Sequence, residues 1–359
     1  MKIVTIIGAR PQFIKAAVVS KAFKEKNIQE ILIHTGQHFD QNMSQIFFEE
    51  MGIPTPNYNL HIHGLSHGAM TGQMLEKTEE ILMKEKPDFV LVYGDTNSTL
   101  AGALAAAKIH IPVIHIEAGL RSFNMNMPEE INRILTDRIS KVLFCPTEAA
   151  IKNLNNEGFA QHGIDILNCG DVMEDSALLF NEIAQKKSDI LNQLNLESGN
   201  YVLATIHRAE NTDDDQKLIE LFKSLDVINL QCPIILPLHP RTAAKIKQLG
   251  IETKVRVIEP IGYLDMTILT SNARLIMTDS GGLQKEAFFF NKYCITLREE
   301  TEWVELVENG YNKLAGCDPS KIVQAFEDLK DKKFEKNHNF YGGGTAALKI
   351  ANHLLENYG

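Results

Sequence analysis

Three acidic residues in the first half of the chain, Asp95, Glu117 and Glu129, are the first candidates for chemistry. Asp95 and Glu117 each follow a short apolar run, residues 89–93 and 113–116, and Glu129 opens a helical stretch one loop later. Carboxylates that share one rim can be pushed apart in pKa, so that one holds a proton while another takes one up. That is the equipment of a general acid–base reaction. Simpler roles compete: Asp95 as a helix N-cap, Glu129 and Glu130 as first-turn partners of the helix dipole. The simpler role is adopted for Glu130, and the shared rim favours chemistry for the other three.

Cations and glycines accompany them. Gly8-Ala9-Arg10-Pro11 follows the first apolar run, with Lys15 five residues after Arg10. A tight turn with Arg and Lys suits a diphosphate; the plainer account is a βα turn with Pro at the first helical position. Asp279-Ser280-Gly281-Gly282-Leu283-Gln284-Lys285-Glu286 joins a strand to a helix. Its glycines would let backbone N–H groups approach a phosphate at the helix N-terminus, with Glu286 one turn on for a ribose hydroxyl pair. The alternative, an Asp or Ser N-cap with glycines serving the turn, weighs equally. His207 and His239 end two later strands beside Arg208 and Arg241, an arrangement better suited to phosphate than to a metal. His61-x-His63-x3-His67 lies in a Gly-rich loop without a His-Glu-x-x-His helix or cysteines and reads as a polar loop, not a metal site.

The elements that must position these groups form an alternating pattern. Apolar runs rich in Val and Ile fall at residues 2–7, 31–35, 89–93, 113–116, 142–145 and 164–169. In the second half they fall at 201–206, 234–238, 255–258, 274–278 and 294–297. Helical periodicity fills the gaps, as at 14–26, 70–85, 129–140 and 215–228. Continuous apolar strands alternating with helices mean parallel sheets covered on both faces. About eleven strands suggest an α/β chain of two doubly wound domains. The expected division is residues 1–170 and 171–344, with a glycine break at Gly342-Gly343-Gly344 turning the last helix, 345–359, back onto the first domain. In open parallel sheets ligands bind beyond the carboxyl ends of the strands. Two such rims facing across a cleft would gather both sets of residues.

Composition removes several function classes. With 36 basic against 46 acidic residues the net charge is −10, the wrong sign for a nucleic-acid binder. No apolar run approaches the ~18–20 residues of a membrane span. The opening MKIVTIIGAR does not resemble a signal peptide, which predicts a cytoplasmic protein. Five widely spaced cysteines without Cys-x-x-Cys reject a disulfide framework, and Cys145 and Cys169 read as buried structural thiols.

Taken together these loops resemble the non-hydrolysing UDP-N-acetylglucosamine 2-epimerase family. The stretches are Gly8-Ala9-Arg10-Pro11-Gln12-Phe13-Ile14-Lys15, Tyr93-Gly94-Asp95-Thr96 and His115-Ile116-Glu117-Ala118-Gly119-Leu120-Arg121, then Pro128-Glu129-Glu130-Ile131-Asn132-Arg133. Ile206-His207-Arg208-Ala209-Glu210-Asn211, Thr278-Asp279-Ser280-Gly281-Gly282 and Arg298-Glu299-Glu300-Thr301-Glu302 follow in family order. The resemblance implies two Rossmann-like domains in the GT-B arrangement and UDP on the second domain. It implies a catalytic set of Asp95, Glu117, Glu129 and His207. The substrate-binding set is Arg10, Lys15, Arg133, His239, Ser280, Gly281, Gly282, Glu286 and Arg298. It also implies a homodimer, with no metal or redox cofactor. Many members carry Gly-Thr-Arg-Pro-Glu where Ala9 and Gln12 stand here, and Gln-His-Arg of a regulatory UDP-sugar site where Gln37-His38-Phe39 stands. The Gly-Ala-Arg-Pro-Gln-Phe-Ile-Lys version looks most like enzymes acting on UDP-2,3-diacetamido-2,3-dideoxyglucuronate in polysaccharide synthesis. A GT-B glycosyltransferase and a non-catalytic UDP-sugar sensor stay open as alternatives.

Overall fold

The computed structural model describes residues 1–37, 55–161, 163–238 and 240–359. Two compact units divide the chain, one of residues 1–176 and 339–359, the other of residues 177–338.

The first unit is built on a seven-stranded sheet, in the order β3-β2-β1-β4-β5-β6-β7. Its strands are β1 (Lys2–Ile7), β2 (Gln29–His34), β3 (Tyr58–Asn59), β4 (Phe89–Tyr93), β5 (Val113–Ile116), β6 (Val142–Cys145) and β7 (Asp165–Asn168). Every pairing is parallel, with Val4 of β1 opposite Ile31 of β2 on one side and Val90 of β4 on the other. Helices α1 (Arg10–Glu25), α2 (His67–Glu85), α3 (Asn97–Lys108), α4 (Pro128–Ile139) and α5 (Glu148–Asn156) connect the strands, and α6 (Val172–Lys187) begins in this unit and continues into the second. All residues of β4, β5 and β6 are buried, which is why these strands read as unbroken apolar runs rather than alternating ones.

The second unit carries a six-stranded sheet, β10-β9-β8-β11-β12-β13, again wholly parallel. The strands are β8 (Val202–Thr205), β9 (Ile234–Pro237), β10 (Arg256–Ile258), β11 (Leu275–Thr278), β12 (Cys294–Thr296) and β13 (Asn312–Leu314). Its helices are α7 (Ile190–Gln193), α8 (Ala209–Thr212), α9 (Asp215–Asn229), α10 (Pro240–Gln248), α11 (Tyr263–Asn272), α12 (Gly281–Phe289), α13 (Val304–Glu308) and α14 (Pro319–Leu329). Both sheets therefore have the doubly wound order, each with one switch point, between β1 and β4 and between β8 and β11. The described residues hold thirteen strands against the eleven expected. The additions, β3 and β13, are two and three residues long and sit at sheet edges, where polar residues such as Asn59, Asn312 and Lys313 leave no apolar run in the sequence.

Helix α15 (Ala346–Tyr358) completes the first unit. Asp175 accepts hydrogen bonds from the N–H groups of Ala346 (3.1 Å) and Ala347 (2.9 Å) at its start. His353 Nε2 lies 2.5 Å from Asp165 Oδ2, and Tyr358 meets Phe89 edge to face. The returning chain crosses so closely that a Cβ on Gly170, at φ +91°, would stand 2.5 Å from the Tyr341 carbonyl oxygen.

Candidate active site

At the first switch point, Gly8 is forced by space: a Cβ there would fall 2.1 Å from Thr35 Oγ1 and 2.2 Å from Ser98 Oγ. The turn leads into α1, whose exposed-to-half-buried opening residues are Arg10 and Pro11. Gln12 locks this turn to the next strand end. Its Oε1 accepts from the N–H groups of Gly8 (2.8 Å) and Ala9 (3.0 Å), and its Nε2 donates to the Tyr93 carbonyl (2.7 Å). One turn further, the buried Lys15 is ion-paired through Nζ with Glu117 Oε2. Gly94, at φ +61°, leaves room for that pair, since a Cβ on it would lie 3.1 Å from Glu117 Oε2. Glu117 itself holds φ +72°, a left-handed conformation that costs a side chain energy and that clusters at functional sites.

Asp95 and Glu117 end adjacent strands, β4 and β5, as the spacing predicts. Arg133 Nη2 reaches Asp95 Oδ2 at 2.6 Å, and Asn132 Nδ2 donates to the Asp95 carbonyl at 2.8 Å. Burial pushes the Asp95 carboxyl above its ordinary pKa; Arg133 opposes that shift and the Glu117 charge adds to it. Glu130 is not an ornament of the helix dipole. It is 1% exposed, accepts from the N–H groups of Ser122 (2.9 Å) and Phe123 (2.8 Å), and pairs with Arg133 Nη1 at 2.6 Å. Burial alone would raise its pKa, but the Ser122 and Phe123 N–H groups and Arg133 outweigh it, and the pKa is lowered. Glu130 thus folds the 121–127 loop back on α4 and aims Arg133 at Asp95. Glu129, its neighbour, is exposed, and no hydrogen bond or ion pair to it occurs among the described residues.

At the second switch point the organising residue is Asp279, fully buried after β11. It accepts from the backbone N–H groups of His207 (3.0 Å) and Arg208 (3.0 Å) and from Asn211 Nδ2 (3.1 Å). Its Oδ1 also lies 3.2 Å from His207 Nδ1, and the His207 side chain is half exposed. Ser280 caps α12, accepting from Leu283 N–H. Gly281 and Gly282 are another matter. Neither has a positive φ, and a Cβ on either would meet nothing closer than 3.6 Å. Protein packing therefore does not demand glycine there, whereas close approach of a ligand to the helix N-terminus would. Trp303 Nε1 donates to the Gly281 carbonyl at 2.8 Å, and Glu286 lies half-buried one turn into α12. Arg298 is 8% exposed and grips Glu302 with both Nη atoms, at 2.9 and 3.1 Å.

The first unit thus holds two ion pairs, Lys15–Glu117 and Arg133–Asp95, close enough for the charges of the first to act on Asp95, with Arg10 at the start of α1. The second gathers His207, Ser280, Gly281 and Gly282 around β8 and β11, with Arg298 after β12. His239 lies outside the described residues, as do His38 and Phe39 and the side chain of Arg241. Among the described residues, His61, His63 and His67 included, no three His, Cys, Asp or Glu side chains are grouped to hold a metal ion. No helix among them is long and apolar enough to cross a membrane. Sequence reading missed Gln12, Glu130 and Asp279 as organisers of the site. The signal for Asp279 was its place directly after a strand, ahead of Ser-Gly-Gly.

The UDP-N-acetylglucosamine 2-epimerase family matches residues 21–355. The chain is 56% identical, over 99% of its length and all of the relative's, to the UDP-2,3-diacetamido-2,3-dideoxy-D-glucuronate 2-epimerase of Pseudomonas aeruginosa. It also resembles the crystal structure of Methanocaldococcus jannaschii UDP-GlcNAc 2-epimerase in complex with UDP-GlcNAc and UDP. There the TM-score is 0.85 at 43% identity, covering 99% of this chain and 100% of that one. The Neisseria meningitidis UDP-GlcNAc 2-epimerase bound to UDP-GlcNAc gives a TM-score of 0.86 at 32% identity, with 99% and 100% covered. Both Rossmann-like sheets fall within these matches, and the fold is GT-B-like. A family match across nearly the whole chain and full-length identity above one half lead to one conclusion: the chain belongs to the UDP-N-acetylglucosamine 2-epimerase family, isomerases that act on UDP-sugars.

Proposed function

We propose that this enzyme inverts C2 of a UDP-2-acetamido sugar by eliminating and re-adding UDP, with UDP-2,3-diacetamido-2,3-dideoxy-D-glucuronate as its substrate and UDP-N-acetylglucosamine as the alternative. The chemistry rests on one observation: two carboxylates in different electrostatic settings, Asp95 beside Arg133 and Glu117 beside Lys15, end neighbouring strands. The substrate rests on the full-length similarity to the P. aeruginosa enzyme.

The C2 proton of such a sugar is not adjacent to a carbonyl, so direct abstraction is difficult. Elimination avoids the problem. A carboxylate takes the C2 proton as the C1–O bond to UDP breaks, leaving a 2-acetamidoglycal and UDP. A second group then delivers a proton to the opposite face of C2 while the UDP oxygen re-forms its bond to C1. Positive charge grows at the anomeric carbon and negative charge on the diphosphate, so carboxylates by the sugar and cations by the phosphate both stabilise the transition state. We assign proton acceptance to Glu117, which Lys15 pairs as an anion, and proton delivery to Asp95, whose carboxyl burial favours in its neutral form. Glu129 is the third group of the set. Arg10, Lys15, Arg133, His207 and His239 serve the diphosphate and sugar, and the α12 terminus with Ser280, Gly281, Gly282 and Glu286 serves UDP. Arg298, paired with Glu302, also belongs to that set.

The working enzyme is proposed as a cytoplasmic homodimer supplying cell-surface polysaccharide synthesis; sedimentation in solution tests the dimer. Incubation of either UDP-sugar in D2O without an acceptor tests the chemistry. Deuterium at C2 of an epimerised product is expected. An unchanged UDP-sugar, or a product with protium only at C2 formed at full rate, would overturn the mechanism.

A further inference from the structure

A buried polar cluster that none of the proposed chemistry uses is hydrogen-bonded to the turns that carry Asp95 and Glu117. His115 stands on β5 and is fully buried. Its Nε2 lies 2.7 Å from the Gly94 carbonyl oxygen and its Nδ1 lies 2.7 Å from Asp137 Oδ1. Asp137, on α4, is fully buried as well, and its Oδ2 accepts from Gly119 N–H at 3.2 Å and from Arg121 Nη1 at 2.7 Å. The Arg121 side chain, also without exposure, uses Nε and Nη2 on Glu157, at 2.7 and 2.9 Å.

Each end of this cluster reaches a turn that carries a carboxylate. Gly94 immediately precedes Asp95, and Gly119 follows Glu117 by two residues. Gly94, Glu117 and Gly119 all hold left-handed backbone, at φ +61°, +72° and +78°. The two glycines take that conformation freely, but Glu117 persists in it only where surrounding contacts over-determine it. A carbonyl oxygen can only accept, so the His115–Gly94 contact places a proton on Nε2. The Nδ1···Oδ1 contact then needs a second proton between His115 and Asp137. Burying His, Asp and Arg side chains together is costly, and apolar residues of similar volume commonly serve a core as well or better. The cluster therefore needs a reason beyond packing, and its hydrogen bonds supply one, since they lead to the two turns. The same helix completes the frame: Asn132 holds the Asp95 carbonyl and Arg133 its carboxylate.

We infer that His115 and Asp137 are positioning residues, a buried relay that sets the Gly94–Asp95 and Glu117–Gly119 turns against each other and so fixes the spacing of the acid–base pair. This rests on the acid–base reading of Asp95 and Glu117. A displacement of about 1 Å at a reacting group can cost up to ~100-fold in rate.

The test uses the full-length enzyme with His115→Gln and Asp137→Asn. Gln cannot bridge Gly94 and Asp137 through two ring nitrogens as the imidazole does, and Asn keeps the shape but removes the carboxylate. In both variants kcat for C2 epimerisation should fall roughly 10- to 100-fold, while KM and the calorimetric affinity for UDP stay within about twofold. UDP calorimetry also counts the folded fraction, so kcat is expressed per binding-competent molecule. Native kcat on that basis in both variants overturns the inference, because it would mean that the cluster only supports folding. In the native enzyme, nitrogen NMR of His115 should show Nε2 protonated, and an unprotonated Nε2 overturns the inference even if both variants fail to fold. Absence of epimerisation by the native enzyme on both UDP-sugars would instead defeat the functional reading, and the inference with it.

Discussion

Arg133 divides its guanidinium between two carboxylates, with Nη2 2.6 Å from Asp95 Oδ2 and Nη1 2.6 Å from Glu130 Oε2. Glu130 is buried and loaded with donors, so it anchors the fork; Asp95 is the half-buried partner, the one proposed to meet the substrate. The arrangement makes Arg133 the brake on the proton affinity of Asp95.

Removing that brake should move the pH dependence. Burial already raises the Asp95 pKa, and Arg133 is the largest opposing influence. If Asp95 must carry a proton, kcat/KM falls as pH rises through that pKa. Arg133→Met would raise the pKa further, so the alkaline limb should shift to higher pH, with a lower maximum because the carboxyl loses its orientation. Asp95→Asn should abolish the limb and reduce turnover by roughly 10²–10⁴-fold, with UDP affinity retained. A limb unmoved in Arg133→Met would assign it to another group.

Much of this was legible before any coordinates. The parallel strands announce themselves because both faces are covered, and the loops at their carboxyl ends carry unusual residues, so Asp95, Glu117 and the Asp279–Gly282 turn could be picked out. What stayed hidden depends on which strands become neighbours. Nothing along the chain tells that Gln12 would bridge Gly8 and Tyr93, or that Asp137 in a polar helix would meet His115 on the interior strand β5. Glu130 was misread because its partners, the N–H groups of Ser122 and Phe123, are created by a loop whose path the local pattern does not specify.

Asp175 offers a stability test independent of catalysis. Burial raises its pKa to about 6, although the Ala347 and Ala346 N–H groups pull it down. In the unfolded chain an aspartate titrates near 3.9. The folded state therefore binds the proton more tightly, and stability from this group is present in full below ~3.9 and is lost as pH rises toward about 6. The difference corresponds to roughly 2–3 kcal/mol as an upper bound. Asp175→Asn keeps a cap acceptor without the charge. Its stability relative to the native protein should rise between pH 4 and 7 and then level off. A gap between the two urea midpoints that ignores pH would refute this.

Gln12 occupies a place where both halves of an amide are used. Oε1 receives two N–H groups at the start of α1, and Nε2 donates to the Tyr93 carbonyl. Glutamate would keep the first function and lose the second, setting a carboxylate oxygen against a carbonyl. Gln12→Glu should destabilise the protein by about 1–3 kcal/mol at neutral pH. The loss should shrink in mild acid, where a protonated carboxyl can donate again. Equal destabilisation at pH 5 and pH 8 would show that the Tyr93 contact is not responsible.

The last prediction uses Trp303, the only tryptophan in the chain. Its indole Nε1 donates to the Gly281 carbonyl at 2.8 Å, and Lys285 Nζ lies over the ring, 4.1 Å from its centroid. A nucleotide diphosphate at the N-terminus of α12 would place negative charge within a few ångströms of an indole already balanced against a lysine. Indole emission responds to fields at that range. Titration with UDP should therefore change the fluorescence, saturably, with the dissociation constant that calorimetry gives. Trp303→Phe should lose the optical signal and still bind UDP, more weakly by about 1 kcal/mol because the Gly281 carbonyl loses its donor. Uridine, lacking the diphosphate, should leave the emission nearly unchanged. If UDP binds by calorimetry and the emission does not move, the diphosphate lies away from Ser280, Gly281 and Gly282, and those residues leave the nucleotide site.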